Sequence, residues 1–143
     1  MRSSGLTGCS MTPVTFAYPC GQKFVGRGAG VQSDVPVVSE LFLAGRGWLD
    51  EGPNDPAATD LAQLYGYPMD DVEFEALKPV VDDAIARGQW LVLAGHDIGA
   101  GPGHQVTRVA MLRPLLRYAS DPSRGVWVDT VANVARYVAD VCR

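Results

Sequence analysis

The chain has 143 residues, a length typical of one domain, and 47% of them are hydrophobic while 20% are charged. These proportions exclude an intrinsically disordered chain. The net charge is -4 and there is no basic stripe with interleaved aromatic residues, so we expect no nucleic-acid partner.

Membrane and secretion signals give little information about the compartment. No apolar run approaches the roughly 20 residues of a membrane-spanning helix, so we expect no membrane partner. The segment Leu6–Cys9 resembles a lipoprotein cleavage box, but only five residues precede it, and we reject a signal peptide. Cys9, Cys20 and Cys142 form neither a metal-binding pair nor a disulfide framework, and we interpret them as free thiols.

The first half of the chain predicts a strand and a helix after an irregular start. Residues 1–12 are rich in Ser, Gly and Thr, and residues 13–143 are expected to form one α/β domain. The β-branched and aromatic run Val14–Tyr18 predicts a strand that Pro19 ends. A glycine-rich loop follows over 21–34. A helix is predicted from Pro36 to about Ala44. Its expected apolar face is Val37, Val38, Leu41 and Phe42, and Gly45–Gly47 ends it.

The middle of the chain predicts a short strand and a long helix. After a second loop over 48–59, the run Leu61–Leu64 is interpreted as a strand. Asp70 or Asp71 is expected to cap a helix that runs through Arg87 and ends at Gly88. Pro79 lies within that helix. The residues expected on its buried face are Phe74, Leu77, Val81, Ala84 and Ile85.

The last third continues the alternation of strand and helix. Strands are predicted at Trp90–Ala94 and Val126–Val128, and helices at Thr107–Ala119 and after the Asp129-Thr130 cap. The loop 99–103 between the first strand and the first helix is interpreted as a mobile surface loop beside the site. Strands that alternate with helices imply a parallel sheet with right-handed crossovers. We interpret Trp127 as a core residue.

His96 is the strongest candidate for a catalytic residue. It follows the apolar run Trp90–Ala94, and in open α/β sheets and barrels the chemistry lies at the carboxyl ends of the strands. An imidazole at such a position can act as a general acid or base near neutral pH. Asp97 either orients the ring or caps the next turn. His104 lies eight residues further on, and two histidines without further ligands do not make a metal site.

Residues at the ends of the other strands complete the candidate site. Cys20 is either a nucleophile with His96 as its base, or a residue whose amide stabilises an oxyanion in a turn fixed by Pro19. Arg46 either binds an anion or lies in solvent, and Trp48 follows it in the same glycine-flanked turn.

Four runs resemble the polysaccharide deacetylases, the nodulation-protein-B-like carbohydrate esterase family. Phe16–Gly21 and Leu41–Gly47 resemble the middle of that family's domain, and Trp90–Asp97 resembles its last motif. Gly125–Val131 resembles the usual ending. The resemblance covers roughly residues 13–141.

The resemblance implies a partial (β/α) barrel of the glycoside hydrolase and deacetylase type, with mostly parallel strands. It implies removal of acetyl groups from an acetylated oligo- or polysaccharide, with a divalent metal, often zinc, held by one Asp and two His. By resemblance His96 is the general acid, Leu93 lines the acetyl pocket and the Cys20 amide holds the oxyanion. The other residues expected to bind substrate are Tyr18, Pro19, Arg46, Trp48 and Asp97.

The chain departs from the family pattern where the metal should be held. Residues 1–13 contain no acid and no histidine, so the family's first two motifs are absent. The usual arginine and tyrosine around Pro19 are replaced by Ala17 and Cys20. We therefore expect the C-terminal half of a deacetylase, without a metal of its own and with weak or no activity. Exposed barrel edges would leave self-association open. The alternatives are a non-catalytic carbohydrate-binding remnant, in which Tyr18 and the three tryptophans stack on sugar, and a small thiol hydrolase that uses Cys20 and His96.

Overall fold

A computed structural model describes residues 12–48, 50 and 52–142. That part of the chain has a mixed α/β fold with four α-helices and short two-stranded sheets. Cys9 and nearly all of the segment expected to be irregular lie outside the described residues. The helices are α1 (Val35–Leu41), α2 (Phe74–Arg87), α3 (Val109–Ala119) and α4 (Val131–Val141). Among the described helices, none is both long and apolar enough to cross a membrane.

Eight short strands lie before and between the first three helices of the described chain. They are β1 (Thr15–Ala17), β2 (Phe24–Val25), β3 (Gln32–Ser33), β4 (Ala44–Arg46), β5 (Tyr67–Pro68), β6 (Leu93–Ala94), β7 (Asp97–Gly99) and β8 (Val106–Arg108). Strands β2 and β3 form an antiparallel pair inside the loop predicted over 21–34, whereas β7 and β8 pair in parallel.

The parallel strands that carry the site follow one another in chain order. Strand β1 pairs in parallel with β4, and Arg46 at the end of β4 forms a parallel bridge to Leu64. Strand β5 then pairs in parallel with β6. The prediction of an α/β fold with parallel strands is confirmed at this level, and the described strands do not close into a barrel.

The ends of the predicted helices needed correction. Helix α1 ends at Leu41, and Ala44 belongs to β4, a strand that the sequence analysis missed. Val37 and Leu41, expected on the buried face of α1, are exposed. Helix α2 begins at Phe74 after Glu73, so neither Asp70 nor Asp71 caps it. Its predicted end is confirmed, because Gly88 adopts the left-handed conformation with φ of 62° that terminates helices.

Three predicted strand or helix segments also differ from the structure. Leu61–Gln63 is a turn of 3-10 helix, in which Asp60 accepts a hydrogen bond from the Ala62 amide. The first residues of the helix predicted from Thr107 form β8. Val126–Val128 forms no strand in the described chain, and Trp127 is 53% exposed, so its assignment to the core was wrong.

Two apolar clusters hold the fold together. The first packs α4 against the parallel strands β4, β5 and β6 and the segments next to them. Its buried members are Ala44, Leu61, Leu64, Val92, Ala135 and Val138. The second joins α2 to α3 through Leu77, Val81, Met111 and Leu115, and Leu93 of β6 packs against it. Burying each Leu, Val or Met side chain of these clusters stabilises the fold by about 1.5–3 kcal/mol. The carboxyl ends of β1, β4 and β6 are thereby fixed next to one another.

Candidate functional site

A cavity of about 360 Å³ lies at the carboxyl ends of β1, β4 and β6. Its lining comprises Ala17, Tyr18, Pro19, Cys20, Arg46, Trp48, Gly95, His96 and Gln105. Six of these are residues that the sequence analysis singled out, and they come from three separate segments of the chain. Ligand sites of parallel α/β sheets lie at this edge because the loops that follow the strands meet there.

His96 is paired with a carboxylate that the sequence analysis assigned to another role. Its ring Nδ1 lies 2.6 Å from Asp70 Oδ2, and its backbone N–H donates to Asp70 Oδ1 at 3.0 Å. An ionised carboxylate can only accept hydrogen bonds, so the proton of the neutral ring must be on Nδ1. The Nε2 atom is then left to accept a proton, or to donate one once the ring is charged.

Asp70 is held by a further bond and is well shielded from solvent. The hydroxyl of Thr107, a residue only 2% exposed, donates to Asp70 Oδ1 at 2.8 Å. The side chain of Asp70 is 9% exposed, against 43% for that of His96. Burial by itself raises the pKa of Asp70, but the hydrogen bonds from His96 and Thr107 outweigh it and hold the pKa below its ordinary value. Asp70 is therefore a fixed, ionised partner for the ring.

Because Gly95 has no side chain, there is room beside it for the contact between Asp70 and His96. A Cβ atom at this position would lie 2.2 Å from Thr107 Oγ1 and 3.1 Å from Asp70 Oδ1. Both atoms belong to the hydrogen-bonded group that fixes the imidazole. The glycine before the histidine is therefore required by the packing around Asp70 and Thr107.

Trp48 forms the other wall around the imidazole. Its ring meets that of His96 edge to face, with the centroids 4.8 Å apart. The turn Pro19–Gly21 packs against the backbone of Trp48, because a Cβ on Gly21 would lie 3.0 Å from the Trp48 carbonyl oxygen. The histidine is thus bounded by an aromatic ring on one side and oriented by Asp70 on the other.

Tyr18 and Arg46 line the cavity, but both make structural contacts as well. Tyr18 is 2% exposed and its hydroxyl donates to the Ala62 carbonyl at 2.8 Å. Burial, followed by the charges of Asp34 and Asp60, raises the pKa of Tyr18. Arg46 donates from Nη1 to the Gly47 carbonyl at 3.1 Å.

The remaining candidates occupy different places. Cys20 is exposed at the cavity, in a left-handed conformation with φ of 52°. Leu93, expected to line an acetyl pocket, packs in the α2–α3 cluster and lines a different cavity. Asp97 is exposed in β7, and its place beside the imidazole is taken by Asp70. His104 lies in the turn before β8 and does not line the cavity.

The side chains present do not match the metal-ligand set that the resemblance implies. Across residues 12–48, 50 and 52–142, no three His, Cys, Asp or Glu side chains come together in a way that could hold a metal ion. Structural and catalytic zinc sites use three or four such ligands. An Asp with two His therefore has no counterpart in that part of the chain.

Asp70 and Thr107 are the residues that sequence reasoning missed. Asp70 precedes a helix, and because acidic residues are common at that position the local pattern predicts a helix cap. Its actual partners lie 26 and 37 positions away, and no local pattern reports such contacts. One feature of the sequence argues against a capping role for Asp70. Glu73 lies directly before the periodic apolar face, so Glu73 occupies the position of the helix cap.

Comparison with known protein families, with curated proteins and with solved structures finds no match to this chain. A function for it must therefore follow from its own residues and their arrangement.

Proposed function

We propose that this cavity is the proton-donating half of a polysaccharide deacetylase-like site. The observation that carries the proposal is the bond between His96 Nδ1 and Asp70 Oδ2, which fixes both the orientation and the tautomer of an imidazole at a cavity wall. In this proposal the substrate is an acetylated oligo- or polysaccharide.

The chemistry follows from the state of the ring. When water attacks the carbonyl carbon of an N-acetyl group, a C–O bond forms and the C–N bond breaks. The departing amine is a poor leaving group unless it receives a proton as that bond breaks. Protonated His96 can supply it from Nε2, while the Asp70 carboxylate stabilises the charged ring. The products are acetate and the free amine, or an alcohol when the substrate is an ester. The protons that the attacking water loses pass to solvent, and solvent returns one proton to His96.

We assign no step to a metal ion, because the described residues hold no ligand set that fits one. Without a group to activate the attacking water, we expect this chain to turn over acetylated sugars slowly or not at all. The part of the reaction that its own residues can perform is binding and proton transfer at His96.

The strand arrangement supports a partial (β/α) barrel as the fold behind this site. Four segments pair in parallel, each with the next one along the chain: strand β1, strand β4, residues 64–68 and residues 92–94. Parallel neighbours in chain order, with the cavity at their carboxyl ends, are the arrangement of barrel enzymes.

A second candidate is a carbohydrate-binding module without catalysis. It is favoured by the half-buried ring of Trp48, which stands beside His96 in the wall of the cavity. Sugar rings present C–H faces that pack on aromatic rings, and Trp offers the largest such surface. Both candidates bind sugar, but only the first predicts acetate release that depends on His96.

The test combines calorimetric binding of an N-acetylated chito-oligosaccharide with measurement of released acetate. We expect saturable binding that Trp48→Ala abolishes and Trp127→Ala leaves unchanged, because Trp127 lines a different cavity. If His96 donates the proton, any acetate release by the wild type falls at least about tenfold in His96→Gln, whereas sugar binding persists. Acetate release no faster than in buffer alone, in both the wild type and His96→Gln, together with intact sugar binding, would favour the binding module. The absence of sugar binding by the folded wild type would refute both candidates.

A further inference from the structure

Arg46 is a cationic side chain that leaves the sheet on the face of the cavity at His96. Strand β4 pairs with β1 so that Arg46 lies beside Ala17. Gly45, the residue before Arg46, faces helix α1, because a Cβ there would come 2.9 Å from Val38 Cγ1. Successive side chains of a strand point to opposite faces, so Arg46 and Ala17 point away from α1. Both residues line the cavity.

One edge of the Arg46 guanidinium has no hydrogen-bond partner in the described chain. Nη1 donates to the Gly47 carbonyl at 3.1 Å, which leaves the edge formed by Nε and Nη2. Neither of these two nitrogens is shielded from solvent. Among the described residues no carboxylate forms an ion pair with Arg46, and Asp50 on the same loop accepts instead from the Gly66 amide at 2.8 Å. This edge is therefore available to a ligand in the cavity.

The charges at the cavity favour an anionic ligand. The described residues that line it include no Asp or Glu, and Arg46 is the only one of them with a permanent charge. The Asp70 carboxylate that holds the imidazole is not a lining residue, and its oxygens accept from the His96 amide, the imidazole and the Thr107 hydroxyl. The whole chain has a net charge of -4, so this cavity is a positive site on an acidic protein.

The shape and charge of the guanidinium favour a carboxylate over a phosphate. The Nε–H and one N–H of Nη2 point in the same direction and match the two oxygens of a carboxylate. The single charge of a carboxylate is neutralised by the single charge of Arg46. A phosphate monoester carries about 1.5 to 2 negative charges at pH 7, and the described lining offers it no lysine and no second arginine.

We propose that Arg46 makes this site selective for an acetylated polysaccharide that also carries carboxylate groups, as uronic acid units do. Arg46 binds the carboxylate of one sugar unit through Nε and Nη2, while the acetylated unit next to it lies at His96. This inference rests on the function proposed above and names the class of polymer that the same site takes. A neutral acetylated sugar chain lacks the group that Arg46 binds and is held less tightly.

The test compares a hyaluronan tetrasaccharide with its methyl ester, which has the same sugar units but no carboxylate charge. We expect calorimetry to show that the wild type binds the acid at least about fivefold more tightly than the ester. Arg46→Gln removes the cation and should weaken binding of the acid about 5- to 10-fold while leaving that of the ester within about twofold. Arg113→Gln, on the exposed surface of α3, removes the same charge and is the matched control that should change neither affinity.

A second measurement needs no variant and decides the matter if Arg46→Gln does not fold. Raising the salt concentration from about 0.05 to about 0.5 M should weaken binding of the acid and leave that of the ester unchanged, because salt screens the ion pair.

The outcomes separate this inference from the function on which it rests. Equal affinities of the wild type for acid and ester would overturn the role of Arg46, and so would an equal loss of both affinities in folded Arg46→Gln. Binding of the N-acetylated chito-oligosaccharide would still support the proposed function in either case. If the folded wild type binds neither that oligosaccharide nor the hyaluronan tetrasaccharide, the proposed function fails and this inference fails with it.

Discussion

Replacement of Asp70 distinguishes its role as the partner of His96 from its role in holding the local fold. Asp70→Asn keeps an oxygen that can accept from the His96 amide and from the Thr107 hydroxyl. It replaces the other carboxylate oxygen by an NH₂ group, which can only donate to the ring. Asp70→Ala removes all three contacts, to the His96 amide, to the Thr107 hydroxyl and to the imidazole ring. The two variants should therefore differ in stability as well as in the state of the imidazole.

The structure sets the expected sizes of the two losses. In Asp70→Ala the amide of His96 and the hydroxyl of Thr107, 2% exposed, lose their acceptor, which costs about 2–4 kcal/mol of unfolding free energy in total. In Asp70→Asn only the contact to the ring changes. Because the His96 side chain is 43% exposed, that contact contributes about 1 kcal/mol.

Two measurements test this reasoning. Denaturant unfolding should rank the wild type above Asp70→Asn, and Asp70→Ala last. Long-range ¹H–¹⁵N spectra of the neutral imidazole should show the proton on Nδ1 in the wild type and on Nε2 in Asp70→Asn. Equal stability of the two variants, or an Nδ1 proton that persists in Asp70→Asn, would refute the pairing.

Three further outcomes are expected. Because the pKa of Asp70 is held below its ordinary value of 3.8, the ionised carboxylate contributes stability above that pH. The stability difference between wild type and Asp70→Asn should therefore disappear as the pH falls from about 5 to about 2 in urea titrations, and a constant difference would contradict it. Gly95→Ala should lower stability by about 1–3 kcal/mol, because its Cβ would lie 2.2 Å from Thr107 Oγ1. Gly101→Ala, with open space around it, is the control and should melt within about 2 °C of the wild type. Cys20→Ala should leave any release of acetate unchanged, whereas its loss would favour a thiol hydrolase.

Local patterns predicted much of the secondary structure. The apolar faces of α2, α3 and α4 repeat with a helical period, and Gly88 ends α2 because it adopts a left-handed conformation at little cost. Thr130 caps α4 by accepting from the Asn133 amide, as the sequence indicated. Strand β4 was missed because Ala-Gly-Arg has no β-branched or aromatic residue, and its pairing with β1 and with Leu64 makes it a strand.

The opposite error occurred at Val126–Val128. Its residues favour a strand, yet in the described chain no neighbouring strand pairs with it, and both Trp127 and Val128 are more than half exposed. Strand propensity expresses packing against neighbours, which a single sequence does not reveal.

Within the site, the sequence indicated the histidine but not its partner. His96 was identified from its place after an apolar run, a local signal. Asp70 belongs to the segment before α2, and its contact with His96 depends on how β5 and β6 pair. Contacts between distant segments of this kind follow from the tertiary fold, which is why Asp97, the neighbour in sequence, was considered instead.

The spacing of the Asp70 contacts has a consequence for how the chain acquires its site. Asp70 binds groups 26 and 37 residues further along, and the exposed residues Ala100–Pro102 lie between them. A protease cut in that loop would leave Asp70 and His96 on one fragment and Thr107 on the other. During synthesis, too, the histidine meets its carboxylate before the hydroxyl that steadies it has been added. The hydrogen-bonded group around Asp70 is therefore complete only when β8 has paired. When β8 detaches, Asp70 loses the hydrogen bond from Thr107.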